Sequence, residues 1–238
     1  MTDEADARPE RIVITRDSLA DGSLLASVRA RLPPGAVMRS EADIRASLHA
    51  TLARHPPGED VWLFGYGSLM WNPAFHFAER RLGVIRGWHR RFCFWVESGR
   101  GSARRPGLMM GLDRGGVCRG VAFRIRAAEA EHELLLVWRR EMFGAAYDAR
   151  WVEVRVPDCA PVRAIAFTAN RAYPRYAGKL GEAETARHIA TAAGPLGTCR
   201  AYLDETMAQL RDLGVRDAGL ERIAAAMPTS PGPEIASP

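Results

Sequence analysis

Lysine is almost missing from this chain: Lys179 is the single one among 33 basic residues, and the rest are arginine. The imbalance reads as a compositional bias of the source rather than a binding device. Cysteine is sparse too. Cys93, Cys118, Cys159 and Cys199 stand 25 to 41 positions apart with no C-x-x-C pair, which argues against a zinc site and against a dense disulfide framework. Reduced, mostly buried thiols are expected. The six histidines form no H-x-x-x-H or similar ligand grouping, so a metal-free protein is expected. No apolar run approaches the roughly 18 to 20 residues that span a bilayer. The opening MTDEADARPE is acidic and polar, unlike a secretory or transit peptide, and a cytoplasmic address is the default expectation.

Like-charge runs are absent as well, and no five cations stand together. Residues 1–60 carry eight arginines against ten carboxylates, which leaves a surplus of +7 for residues 61–238. A scattered surplus of this kind suits a small anionic substrate at least as well as nucleic acid. The length of 238 residues, 47% hydrophobic and 26% charged, fits an ordinary globular chain of one large domain with an extension. The division expected is an N-terminal extension over 1–60, a main domain over 61–228 and a disordered tail over 229–238.

The extension is punctuated by Pro33-Pro34-Gly35 and Pro56-Pro57-Gly58. Between them Ser40-x-x-Asp43 resembles a capping signal, and Ile44, Leu48 and Leu52 recur every four residues as one amphipathic helix. From residue 61 the period changes toward strands. Seven short ones are expected: 61–64, 82–88, 91–96, 108–112, 117–125, 151–156 and 162–168, with Asp113-Arg114-Gly115-Gly116 as a hairpin turn. Helices are expected over 127–143, 182–193, 199–213 and 217–227. The class is α+β, a small antiparallel barrel with flanking helices.

Chemistry points first to Val61–Trp71, an apolar run broken at Gly65-Tyr66-Gly67-Ser68. Two glycines flanking a tyrosine after a buried strand let backbone amides approach a small ligand without a clashing Cβ. The loop has neither the spacing and lysine of a P-loop nor a G-x-G-x-x-G fingerprint, and Ser68 is in no G-x-S-x-G elbow. An amide nest for an anion or an oxyanion remains, with a plain tight turn as the alternative. Glu141 ends a helix with a strongly apolar face. Buried there it would gain basicity; exposed, it would only pair with Arg139 or Arg140. Glu97–Gly107, rich in glycine and arginine, is a candidate lid or a solvated loop. Tyr147 either points a hydroxyl at Glu141 or packs on the barrel.

Taken in order, FGYGSLMWNP, RRFCFW, RPGLMMGLDRGG, RGVAFRI, WRREMFGAAY and FTANRAYPRYAG resemble ChaC-type γ-glutamylcyclotransferases, enzymes specific for glutathione. The resemblance implies a small β-barrel of the γ-glutamylcyclotransferase type. It implies substrate binding along Leu63, Phe64, Gly65, Tyr66, Gly67 and Ser68, and it makes Glu141 the acid/base carboxylate. Tyr147 is carried over less securely as a substrate contact. No cofactor, nucleic acid or membrane enters the implied reaction. The alternatives are the same chemistry on other γ-glutamyl amines or amino acids, and a non-catalytic γ-glutamyl-binding regulatory protein.

Overall fold

The computed structural model describes residues 12–32 and 38–228. The expected tail at 229–238 lies outside the described residues. Five strands form one strongly curled sheet: β1 (Val61–Gly65), β2 (Glu79–Val96), β3 (Gly107–Ile125), β4 (Tyr147–Val154) and β5 (Val162–Ala169), in the order β2-β3-β1-β5-β4. Its two edges meet where Val84 and Arg155 exchange backbone hydrogen bonds of 2.9 Å. Gly83 permits this closure, because a Cβ there would lie 2.6 Å from Cγ1 of Val154. The expected α+β architecture, a small curled sheet with flanking helices, is therefore present.

In this main sheet the strands are fewer and longer than the pattern suggests. Segments 82–88 and 91–96 are one 18-residue strand, and 108–112 and 117–125 are one 19-residue strand. Asp113–Gly116 does not reverse the chain. Gly115 and Gly116 have φ of +99° and +73°, facing Gly87 at +81°, and the register shifts between Arg86 and Trp88. This is a glycine bulge that bends a continuing ladder. Asp113 is held inside it, its carboxylate accepting from Arg91 (2.7 Å), Arg171 (2.8 Å) and the Tyr176 hydroxyl (2.9 Å). Turn and bulge share one local sequence, and these distant partners decide between them. The reversal falls in residues 97–106 instead. Pairing is also mixed: β1 is antiparallel to β3 but parallel to β5, with Leu63 opposite Ile165. A strand flanked on both sides and buried on both faces reads as the continuous apolar run seen at 61–64.

Helices cover the sheet: α1 (Arg16–Ala20), α2 (Ser23–Arg29), α3 (Glu41–Leu52), α4 (Ala130–Glu141), α5 (Glu182–Thr191), α6 (Cys199–Asp212) and α7 (Ala218–Ala225). Ser40 and Asp43 form the capping box of α3, each side chain receiving the other's backbone amide. The short α1 and α2 were not expected; five and seven residues are too few for a period to register. α4 is the central helix. Leu134, Val137 and Trp138 pack on the main core, and the Trp138 ring meets Phe167 edge-on at 5.1 Å. Its other side takes Leu19 and Leu24 of α1 and α2 against Leu136. Arg139 ties α4 to Glu41 at 2.8 Å, and Arg16 pairs with the buried Glu133. Among the described residues no helix is long and apolar enough to cross a membrane.

Candidate active site

β1 ends at Gly65, and the chain passes through Tyr66 and Gly67 into a 3₁₀ turn over Ser68–Met70. Leu63 and Phe64 are fully buried in the barrel, so their side chains position the loop rather than face it. Tyr66 is buried and its hydroxyl donates to the Phe167 carbonyl at 2.7 Å, fixing the loop to β5. Gly67 is wedged under α6: a Cβ there would lie 2.7 Å from the Tyr202 hydroxyl.

The C-terminal turn of α4 meets this loop through one arginine. Arg140 is buried. It donates from Nη2 to the Ser68 hydroxyl at 2.7 Å and from Nη1 to the Asn72 carbonyl, while its Nε stands 3.1 Å from Oε1 of Glu141. The Glu141 side chain is 15% exposed, so it is neither on the exterior nor sealed. Burial pushes its carboxyl above the usual range, and the Arg140 charge offsets only part of that rise. The acid thus sits beside the loop, less solvated than a surface glutamate and more basic for it.

Three buried phenols stand close enough to this carboxylate to feel its charge. Burial drives Tyr66 and Tyr147 well above their ordinary value, and the Glu141 charge adds to both shifts. Tyr202 is pushed up to about 12 by burial and then by Glu141. Tyr147 does reach the site, but its hydroxyl donates to the Met110 carbonyl at 2.7 Å. Any ligand contact from Tyr147 is therefore as an acceptor.

The structure brings together Gly65–Ser68, Glu141 and Tyr147, as the sequence suggests, and adds Arg140 and Tyr202. Arg140 was legible as the neighbour of Glu141. Tyr202 was not, since in the sequence it is one apolar position on an α6 face. Arg100, from the candidate lid, lies 5.1 Å over the Tyr202 ring and donates to the Thr198 carbonyl at 2.9 Å. A large open cleft of about 910 Å³ lies elsewhere, lined by Arg86, Trp88, Trp151 and Arg163. It contains neither the loop nor Glu141. Among the described residues no three His, Cys, Asp or Glu side chains stand grouped to hold a metal ion.

Residues 61–229 match the family model described as ChaC-like protein. A relative from Escherichia coli (strain K12), a glutathione-specific γ-glutamylcyclotransferase, is 45% identical over 175 residues, covering 74% of this chain and 76% of the relative. A glutathione-specific γ-glutamylcyclotransferase 1 from Mus musculus is 35% identical over 147 residues, covering 60% of this chain and 66% of its own length. In shape, the chain is similar to the crystal structure of a γ-glutamyl cyclotransferase specific to glutathione from yeast. The TM-score is 0.63 at 20% identity, covering 71% of this chain and 97% of that one. That likeness bears on the fold alone.

Proposed function

The chain belongs to the ChaC-like family, and on that premise we propose that it is a glutathione-specific γ-glutamylcyclotransferase with Glu141 as its general acid and base. The observation that carries the reading is the Ser68–Arg140–Glu141 connection. One buried guanidinium ties the glycine loop to a carboxylate whose proton affinity is raised.

The γ-glutamyl unit of glutathione contains its own nucleophile. Its α-amine attacks the γ-carbonyl carbon, closes the five-membered ring of 5-oxoproline and expels Cys-Gly. Three tasks fall to the protein. The substrate must be folded so that amine and carbonyl meet, which the Gly65–Ser68 loop does by cradling the γ-glutamyl end against its amides. The ammonium must lose a proton and the departing amine must gain one; Glu141 takes the first and returns it in the second step. Charge on the tetrahedral oxygen must be met by donors in a poorly solvated place. Arg140 is a positioning residue, holding Ser68 and Glu141 in register.

The residues proposed for substrate contact are Leu63 to Ser68 and Tyr147, the first two through backbone alone. The γ-glutamylcyclotransferase-like unit is taken as residues 61–228, with 1–60 as an extension whose helices α1, α2 and α3 pack on α4. Four free cysteines suit a reducing cytoplasm. The partner is a small anionic peptide, and the basic body complements its two carboxylates. Incubating the purified chain with glutathione and, separately, with γ-glutamyl-alanine tests the reading. 5-Oxoproline from glutathione alone supports it; release from γ-glutamyl-alanine alone replaces the substrate, and release from neither removes the activity.

A further inference from the structure

Resting on the cyclotransferase reading above, we propose that Tyr202 is a further catalytic residue, its phenol donating a hydrogen bond to the γ-carbonyl oxygen as that oxygen becomes an oxyanion. The argument is one of elimination among three hydroxyls around Glu141. The Tyr66 proton is committed to the Phe167 carbonyl and the Tyr147 proton to the Met110 carbonyl, both at 2.7 Å. Among the described residues the Tyr202 hydroxyl donates to no protein acceptor; its oxygen accepts from the Ser68 amide, which leaves the phenol proton uncommitted. Among the described residues the side-chain atoms buried without a partner are His55 Nδ1 and Arg90 Nε, and the Tyr202 hydroxyl is not one of them. A buried donor without an acceptor would lose about 1–3 kcal/mol of solvation. A phenol proton kept free at the loop is what a substrate oxygen can use.

Its placement is fixed from several sides. The ring meets Trp71 edge-on at 5.4 Å and Phe92 at 6.1 Å, and Arg100 covers one face. The hydroxyl abuts Gly67, where a side chain would collide with it. Donor and loop are thereby in contact, so an oxygen lodged at the loop's rim meets the phenol directly. The site's buried cation is less available for the same task, because three of the five N–H donors of Arg140 are taken by Ser68, Asn72 and Glu141.

A neutral donor also suits the charge in question, which exists only between attack and collapse. As the amine nitrogen bonds to the γ-carbon, the carbonyl π pair moves to oxygen, which accepts the Tyr202 hydrogen bond. When the pair returns, the C–N bond to cysteine breaks and the departing amine takes the proton held by Glu141. Tyr202 keeps its own proton throughout. Burial and the nearby carboxylate favour that, since both oppose ionisation of the phenol.

The test is steady-state 5-oxoproline release from glutathione by the wild-type chain and by Tyr202→Phe, which keeps the ring and removes one oxygen. Loss of one oxyanion donor predicts a kcat lower by about 10²–10³-fold with little change in KM. A variant kcat within twofold of wild type, or a loss confined to KM, would overturn the role for Tyr202 alone. A wild-type chain that releases no 5-oxoproline would overturn the cyclotransferase reading and this role with it. As a second measurement, 3,5-difluorotyrosine at position 202, with the more acidic phenol, should move the alkaline loss of kcat to lower pH. A purely structural ring would leave that limb in place, and that result would refute the proposal.

Discussion

Replacing Gly67 by alanine tests the contact on which the site's geometry turns. The new Cβ would lie 2.7 Å from the Tyr202 hydroxyl, whereas ordinary contact begins at 3.4 Å. Its next neighbours, Tyr202 Cζ at 3.8 Å and Met110 Sδ at 3.9 Å, are unstrained. The whole conflict is therefore with one oxygen. That oxygen cannot swing away cheaply, because Trp71 and Phe92 flank its ring. Overpacking of this kind costs about 1–3 kcal/mol. In a domain of this size each kcal/mol corresponds to roughly 2–4 °C in Tm. Thermal and urea unfolding should therefore show Gly67→Ala less stable than the parent. Adding Tyr202→Phe removes the clashing atom, so the double variant should be more stable than the two single changes predict. A coupling of about 0.5–3 kcal/mol is expected for residues in contact. Strictly additive effects, or no loss from Gly67→Ala, would refute the stated packing of the loop against α6.

The other perturbations follow from single interactions. Arg140→Gln removes the charge that holds the Glu141 carboxyl down, so that carboxyl should rise further. Because the base works ionised, the acid limb of kcat/KM should move to higher pH, and a limb that stays put would dissociate the pair. Asp113 is held below the ordinary aspartate value: burial would raise it, but the hydrogen bonds from Arg171, the Arg114 amide and Tyr176 prevail. A depressed carboxyl contributes stability above its unfolded pKa and loses it as pH falls through the folded one. The stability deficit of Asp113→Asn should thus be full at neutral pH and shrink below about pH 4, measured by urea unfolding across pH. Ser40→Ala deletes the α3 cap and should cost about 1 kcal/mol without altering kcat. A change in kcat would mean that α3 reaches the chemistry.

What was legible in the sequence is what local pattern controls. The capping box at Ser40 and Asp43, the apolar face of α4 and the break at Gly65–Ser68 all appear where the residues imply. Legibility failed where distant partners decide. Asp113–Gly116 has the composition of a turn, yet Arg91, Arg171 and Tyr176 hold its aspartate inside a continuing strand. Tyr202 sits on an ordinary helical stripe, and only the packing of α6 over Gly67 gives its hydroxyl a setting. Tyr147 shows the reverse case. The sequence placed it near the acid, but the Met110 carbonyl had already claimed its proton.

The central claim is tested most directly by Glu141→Gln, compared with wild type for 5-oxoproline formation from glutathione and for thermal stability. Glutamine keeps the size and polarity of the side chain but cannot shuttle a proton, and general acid–base catalysis is commonly worth 10²–10⁴-fold. The account predicts a folded variant whose turnover falls by about that factor or more. A folded variant that releases 5-oxoproline at the wild-type rate would contradict it.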